Sequence, residues 1–181
     1  MGRLKNFDRY DVLDSAIQIF WKKGFADTSL SDLEKATGVN KSGLYSEFKD
    51  KDDIFLECIK RYHDTNPAND ILKSEPLGWS NIEEFFKITL NFKGQRGCFL
   101  ANSTRDSNIL PSKIRQVMDQ RVQVTRELML NNIKATKTKN DPQVLNDMIM
   151  TYAVGVSMKL NILKPEELHD EVMAFLDMCK K

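Results

Sequence analysis

Charge of either sign is not in excess in this chain: 27 lysines and arginines stand against 26 aspartates and glutamates, a formal net charge of +1 over 181 residues. A generally basic nucleic-acid coat is thereby excluded, and any phosphate binding must come from where the cations sit. Only three cysteines occur, Cys58, Cys98 and Cys179. Their odd number and wide spacing exclude a disulfide scaffold, match no zinc site and fit a reduced compartment. No run is long and apolar enough to cross a bilayer, and MGRLKNFDRYD lacks the apolar stretch of a signal peptide. The expected residence is therefore the cytoplasm, away from any membrane. Two histidines, His63 and His169, read as surface residues. With no phosphate loop, metal cluster or G-x-S-x-G elbow, neither an enzyme nor a cofactor is expected.

What is present is helical periodicity throughout. Internal repeats, low-complexity tracts and convincing strand patterns are all lacking. Val12, Leu13, Ala16, Ile17 and Phe20 form an apolar stripe that stops at Gly24–Phe25, and Ile54, Phe55, Cys58, Ile59 and Tyr62 form another behind the cap Asp50. Residues 66–80 hold two prolines, a glycine and several polar residues, which predicts a domain boundary there. The reading is thus a domain of residues 1–65 and a larger one of residues 66–181. In the larger domain, helices are predicted over residues 82–92, 98–106 and from Pro111 to about Ala135. Two more open at Asp141–Pro142 and at Pro165. The length suits one small unit plus one helical body with a core of its own.

Residues Thr28 to Lys51, TSLSDLEKATGVNKSGLYSEFKDK, carry the functional signal. Ser29 is placed to cap a helix, with Asp32 three residues on in its first turn. Gly38 supplies the left-handed stop, and Asn40 caps the next helix. Leu44 and Phe48, four apart, share an inward face. Ser42, Gly43 and Ser46 are turned outward, with Tyr45 and Glu47 on the flanks. This is the layout of a helix-turn-helix, whose second helix probes the major groove of DNA.

The segment resembles the DNA-binding domain of TetR-family transcriptional repressors. The resemblance is carried by Thr28–Ser29, by Asp32–Leu33 and by GVNKSGLYSEFKDKDDIF from Gly38 to Phe55, with the upstream stripe ending at Phe20. It covers roughly the first third of the chain. Glu34 and Thr37 stand where the family usually has alanine, Ser42–Gly43 reverses a frequent Gly-Ser order, and Ser46 and Glu47 replace an aromatic and a histidine. The DNA-binding candidates are Thr28, Ser29, Asn40, Lys41, Ser42, Gly43, Tyr45, Ser46 and Lys51. Thr28, Ser29 and the helix start suit a phosphate, while Ser29 and Asn40 also read simply as caps. Lys41 suits a phosphate or a guanine edge. Tyr45 is read as a phosphate or thymine-methyl contact, or as half-core packing, and Lys51 looks like the family's phosphate clamp. Arg3, Lys5 and Arg9 form a basic N-terminal arm.

The fold class expected is all-α: a three-helix DNA-binding domain followed by a helical ligand-binding and dimerisation domain. The resemblance implies a homodimeric repressor, paired through its last two helices and released from a palindromic operator by a small molecule. The candidate interface is Met148, Ile149, Tyr152, Val156, Leu160, Val172 and Phe175. Candidate ligand residues are Phe85, Phe86, Thr89, Phe92, Cys98, Phe99, Asn102, Met118, Val122, Met148 and Tyr152, although aromatics and methionines at this spacing also make ordinary core. Gly97–Cys98 followed by Asn102 resembles a branch in which a cysteine responds to electrophiles or oxidants; an inert buried cysteine is the other reading. The rival to the regulator as a whole is a helical interaction module that has lost DNA binding, with Glu34 and Glu47 as its clue.

Overall fold

A computed structural model describes residues 7–91 and 97–181, and among these there are helices and loops but no strand. Arg3, Lys5 and Phe92, named above, lie outside the described residues. The helices are α1 (Arg9–Lys23), α2 (Leu30–Thr37), α3 (Lys41–Glu47), α4 (Lys51–Thr65), α5 (Ala68–Lys73), α6 (Trp79–Asn91), α7 (Phe99–Ser103), α8 (Ser112–Lys134), α9 (Pro142–Lys159) and α10 (Pro165–Cys179). A single 3-10 turn, Thr104–Asp106, follows α7. The chain divides into two compact units, residues up to 65 together with 102–119, and residues 66–101 together with 120–181. Residues 102–119, which the sequence pattern assigns to the larger domain, group instead with the first.

In the first unit α1 packs on α4 and α2, and α2 on α3. Val12, Leu13, Ala16, Ile17 and Phe20 are the buried face of α1, and Ile54, Phe55, Cys58 and Ile59 that of α4. The Phe20 and Phe55 rings meet edge to face at 4.9 Å, a favoured aromatic geometry. Asp8 caps α1 by accepting from the Tyr10 and Asp11 amides. The half-buried carboxylate of Asp106 accepts the Phe25 amide at 2.7 Å, so the chain that leaves α1 is held by the turn after α7.

The second unit is built on α5, α6, α9, α10 and most of α8. Its core gathers Leu72, Ile82, Phe86, Met129, Ile133, Leu145, Ile149, Val156, Leu160, Leu168, Val172 and Leu176. One polar residue is fully enclosed: Asn132 donates to the Leu72 carbonyl at 2.7 Å and accepts from the Gly78 amide at 3.0 Å and from Asn81 Nδ2 at 2.9 Å. These bonds fasten the α5–α6 loop to α8. Buried amides survive in a core only when paired in this way. Residues 68–73, expected as linker, form α5 because Ala68 and Leu72, one turn apart, are both buried while Pro67 sits ahead of the helix, where a missing N–H costs nothing. Asp141 caps α9 as expected, accepting from the Gln143 and Val144 amides.

Candidate nucleic-acid interface

The helix-turn-helix is assembled by local bonds that the sequence names one by one. Ser29 accepts from the Asp32 amide at 3.1 Å while Asp32 accepts from the Ser29 amide at 2.9 Å, a complete capping box at the start of α2. Lys23 reaches the same carboxylate at 2.6 Å, and its hydrogen bond, with those of Ser29, holds the Asp32 carboxyl far below the usual carboxylate range. Gly38 ends α2 at φ 69°, a conformation that costs a side-chain-bearing residue free energy, and its amide returns to the Glu34 carbonyl at 2.9 Å. Asn40 then caps α3 through the Gly43 amide at 2.9 Å. Leu44 and Phe48 are 1% exposed, so the inward face of α3 is sealed. Lys41, Ser42, Tyr45 and Ser46 face solvent, and Gly43 is half-exposed between them. A side chain at Gly43 would meet Val39 Cγ1 at 2.7 Å, so the middle of the probe stays bare.

Each remaining DNA candidate has a definite place. Ser29 is exposed. Thr28 is buried, its hydroxyl donating to the Gly24 carbonyl at 2.5 Å. Ser46 donates to the Gly43 carbonyl of its own helix at 2.7 Å. Lys41 Nζ lies 5.8 Å from the Tyr45 ring centre, near enough for these two exposed side chains to act together. Lys51 turns inward: its ammonium donates to the Phe25 and Thr28 carbonyls at 2.9 and 3.1 Å and sits over the Phe25 ring at 4.4 Å. The α1–α2 connection is thus tied to the start of α4. Arg9, read as part of an arm, also points into the unit rather than away from it. It donates to the Glu47 carbonyl and to Glu57, both at 3.0 Å, and lies 4.3 Å over the Phe48 ring. Partial burial pushes the Glu57 carboxyl up, but the bonds from Lys60 and Arg9 prevail and hold it below its ordinary value.

The ligand candidates fall in both units. Phe85, Phe86, Thr89, Phe99, Met148, Tyr152, Val122 and the half-buried Cys98 belong to the second unit, whereas Asn102 and Met118 belong to the first. Phe85 and Phe86 meet edge to face at 5.6 Å, the Phe86 ring lies 6.0 Å from Tyr152, and Thr89 donates to the Phe85 carbonyl. Phe99 is fully buried, and Val122 and Met148 are exposed. The interface candidates require a correction: Ile149, Val156, Leu160 and Val172 lie in the core of the single chain and have nothing left to offer a partner. They are the most apolar stripe of α9 and α10, and a chain buries its best stripe against itself first.

The family model of bacterial regulatory proteins, tetR family, matches residues 12–58, the whole stretch from the buried face of α1 into α4. This stretch is similar to the DNA-binding domain of the TetR family. The transcriptional repressor ComR of Escherichia coli is 35% identical over 109 residues, which is 56% of this chain and 52% of ComR. The transcriptional regulator YezE of Bacillus subtilis is 32% identical over 109 residues, 57% of this chain and 56% of YezE. The match thus spans about half the length of these curated relatives. Among solved structures, the regulator CifR bound to operator DNA has a TM-score of 0.80 at 23% identity, covering 97% of this chain and 98% of CifR. Reduced NemR of E. coli has 0.79 at 19%, covering 93% and 94%. At such identities the likeness is one of fold.

Two features escaped the sequence pattern. Glu34 accepts the backbone amide of Lys41, so a second side chain besides Asn40 serves the start of α3. No motif predicts a bond from one helix onto the next helix's first amide. The other is a thinner exposed stripe on α9, Val144, Met148, Thr151 and Gly155, continued by the half-buried Met158 and by Ile162 and accompanied by Ala174 and Met178 of α10. Its i, i+3/i+4 spacing could have been found by asking which apolar face the chain had left over.

Proposed function

We propose that the chain is a homodimeric, sequence-specific DNA-binding repressor that reads a palindromic operator with α3. The observation that carries this reading is the form of α3. It is capped at its first turn and sealed inside by Leu44 and Phe48, and it presents Lys41, Ser42, Gly43, Tyr45 and Ser46 to solvent on a face with little bulk at its centre. A narrow polar face admits the backbone close to the base edges, where Lys41 is placed for a phosphate or guanine and Tyr45 for a phosphate or thymine methyl. Ser29 and the start of α2 flank it. Thr28 and Lys51, both bonded to backbone carbonyls, support the frame from inside, and Asn40 holds the first turn. Small contacts of this kind leave much of the discrimination to duplex shape.

One such helix buries too little surface for tight binding, and two related by a two-fold axis read half-sites about 34 Å apart. The exposed stripe of α9 and α10 is the face through which the pairing is proposed, Met148 and the half-buried Tyr152 and Phe175 being the interface candidates still available. The effector is proposed to act on the second unit, among Phe85, Phe86, Thr89, Phe99 and Tyr152. Cys98 is the thiol open to an electrophile or oxidant, since Cys58 and Cys179 are buried and burial pushes both thiols up. The clue for a module without DNA binding weakens, because Glu34 is engaged at the start of α3 and Glu47 is half-buried, its carboxylate 3.9 Å from Arg9. Neither is a bare charge facing a duplex. A gel shift on the DNA upstream of the chain's own coding sequence tests the reading. Retention that survives excess unrelated duplex is expected, and retention lost to that competitor would overturn it.

A further inference from the structure

Helix α3 has seven residues, and an isolated helix shorter than about 12 is marginal in water. Its direction must therefore be set from outside. At the C-terminal end, Arg9 of α1 donates to the Glu47 carbonyl at 3.0 Å, covers the Phe48 ring at 4.3 Å, and is itself anchored by Glu57 of α4 at 3.0 Å. At the N-terminal end, the Glu34 carboxylate of α2 accepts the Lys41 amide, beside Asn40, which takes that of Gly43. Both ends of the probe are thus gripped by charged side chains from other helices. The Lys23–Asp32 pair joins the two helices that carry them. Charge-assisted bonds are stronger than neutral ones and fix direction as well as distance.

We propose that Arg9 and Glu34 are a pair of positioning residues that aim α3 from its two ends, and that Arg9 acts within the protein rather than on a phosphate. The inference rests on the DNA-reading proposal for its binding arm only; the clamp itself can be read in the free protein. A lysine or arginine on phosphate releases counterions and contributes to the salt dependence of binding, whereas a residue that only aims the helix does not. Removing the clamp therefore lowers affinity for a chosen sequence without changing the salt slope or affinity for unrelated DNA.

The experiment compares R9M, E34A and E34Q with the wild-type full chain, on a duplex that the wild type selects from a random-sequence pool and on a scrambled duplex. R9M and E34A are expected to lose about tenfold or more on the selected duplex, the worth of a charge-assisted bond, with no loss on the scrambled one. Their salt slopes stay at the wild-type value, and E34Q, which keeps an acceptor, is restored to near wild type. A slope lower by about one in R9M, with equal loss on both duplexes, would make Arg9 a phosphate ligand and overturn the proposal. Amide hydrogen exchange of the free variants supplies the second arm, with α1 and α4 as internal references. The α3 amides alone are expected to exchange about tenfold faster in R9M and E34A. Unchanged α3 protection would overturn the clamp whatever the DNA result. Should the wild type select no sequence, the DNA reading fails by itself while the exchange result still decides the clamp.

Discussion

Helix α3 of the first unit and α9 of the second are held in place by different physics. The seven residues of α3 and the cap that follows bury one clean pair, Leu44 and Phe48, and the rest of its restraint is polar: Asn40, Glu34 and Arg9 at its ends. The eighteen residues of α9 bury Leu145, Ile149, Ala153 and Val156 and rely first on volume, with bonds from Asn146, Asp147, Tyr152 and Lys159 to neighbouring helices added along it. A short element must be aimed by directional bonds, since it has too little surface to be located by packing alone. A long one is located by packing and leaves its other face free for recognition. The probe is therefore sensitive to single polar changes, and α9 to changes of volume.

The sharpest way to break that contrast is Phe48→Ala. Phe48 is both the largest buried residue at the end of α3 and the platform under Arg9. Its loss should cost about 3–5 kcal/mol, as for other buried phenylalanines, and remove DNA retention with it. Urea denaturation followed by circular dichroism checks the first part and a gel shift the second. A variant that keeps full DNA affinity would show that α3 is located without its apolar anchor.

The difference between the regions also explains what could be read in advance. The helix-turn-helix was legible because each of its devices is local. The Ser29–Asp32 box, the Gly38 stop, the Asn40 cap and the Leu44–Phe48 pair all work within a few residues, and the structure contains each of them. Arg9 was misplaced because its partners, Glu47 and Glu57, are 38 and 48 residues away, and no periodicity reports such a bond. Lys51 hid its inward bonds to Phe25 and Thr28 for the same reason. In the second unit the number and order of helices were legible apart from α5, since apolar stripes state that a helix is buried. They do not state against what. Ile149, Val156, Leu160 and Val172 therefore read equally well as core or as interface until the fold assigned them to the core.

Two glycines sharpen the comparison at intermediate size. Gly97 has φ 80°, and a Cβ there would stand 2.6 Å from the Ser157 carbonyl oxygen of α9, a backbone atom that cannot step aside. Gly38 has φ 69° with nothing within 4 Å. Gly97→Ala should cost about 2–4 kcal/mol, left-handed strain and overpacking acting together, and Gly38→Ala about 1 kcal/mol from strain alone. Denaturant midpoints at equal slope measure both. Equal losses would mean that the close approach to α9 is relieved by backbone movement, and that the second unit is less volume-limited than its packing implies.

Smaller in energy but direct in meaning is the salt dependence of operator binding. Lys41 is exposed, while the ammonium of Lys51 is occupied by two carbonyls. Lys41→Ala should lower the slope of log affinity against log salt by about one, and Lys51→Ala should weaken binding through the frame with the slope kept. A slope reduced by Lys51→Ala instead would return that residue to the phosphate set and make the first unit's cations interchangeable.

The least costly perturbation is a proton in the second unit. The Tyr152 ring stacks on Phe175 at 3.8 Å, and its hydroxyl donates to Glu171 at 3.2 Å. Partial burial, then the charge and hydrogen bond of Glu171, push the phenol from the ordinary 10.0 up to about 12. Lys159 grips the same carboxylate at 2.7 and 2.8 Å, and its hydrogen bond holds the Glu171 carboxyl below its ordinary value. Because the folded chain holds the phenolic proton more tightly than the unfolded chain, this contribution is complete below pH 10. It is lost as pH rises towards 12, where the unfolded state has already released its proton. Tyr152 should then contribute phenolate absorbance in the near ultraviolet only late in an alkaline titration. Tyr152→Phe should remove that late component and flatten stability across the same alkaline window, whereas a window unchanged in the variant would assign the titration elsewhere. Loss of the late component would locate a polar restraint between α9 and α10, where a directional bond adds to volume in fixing the register of two helices.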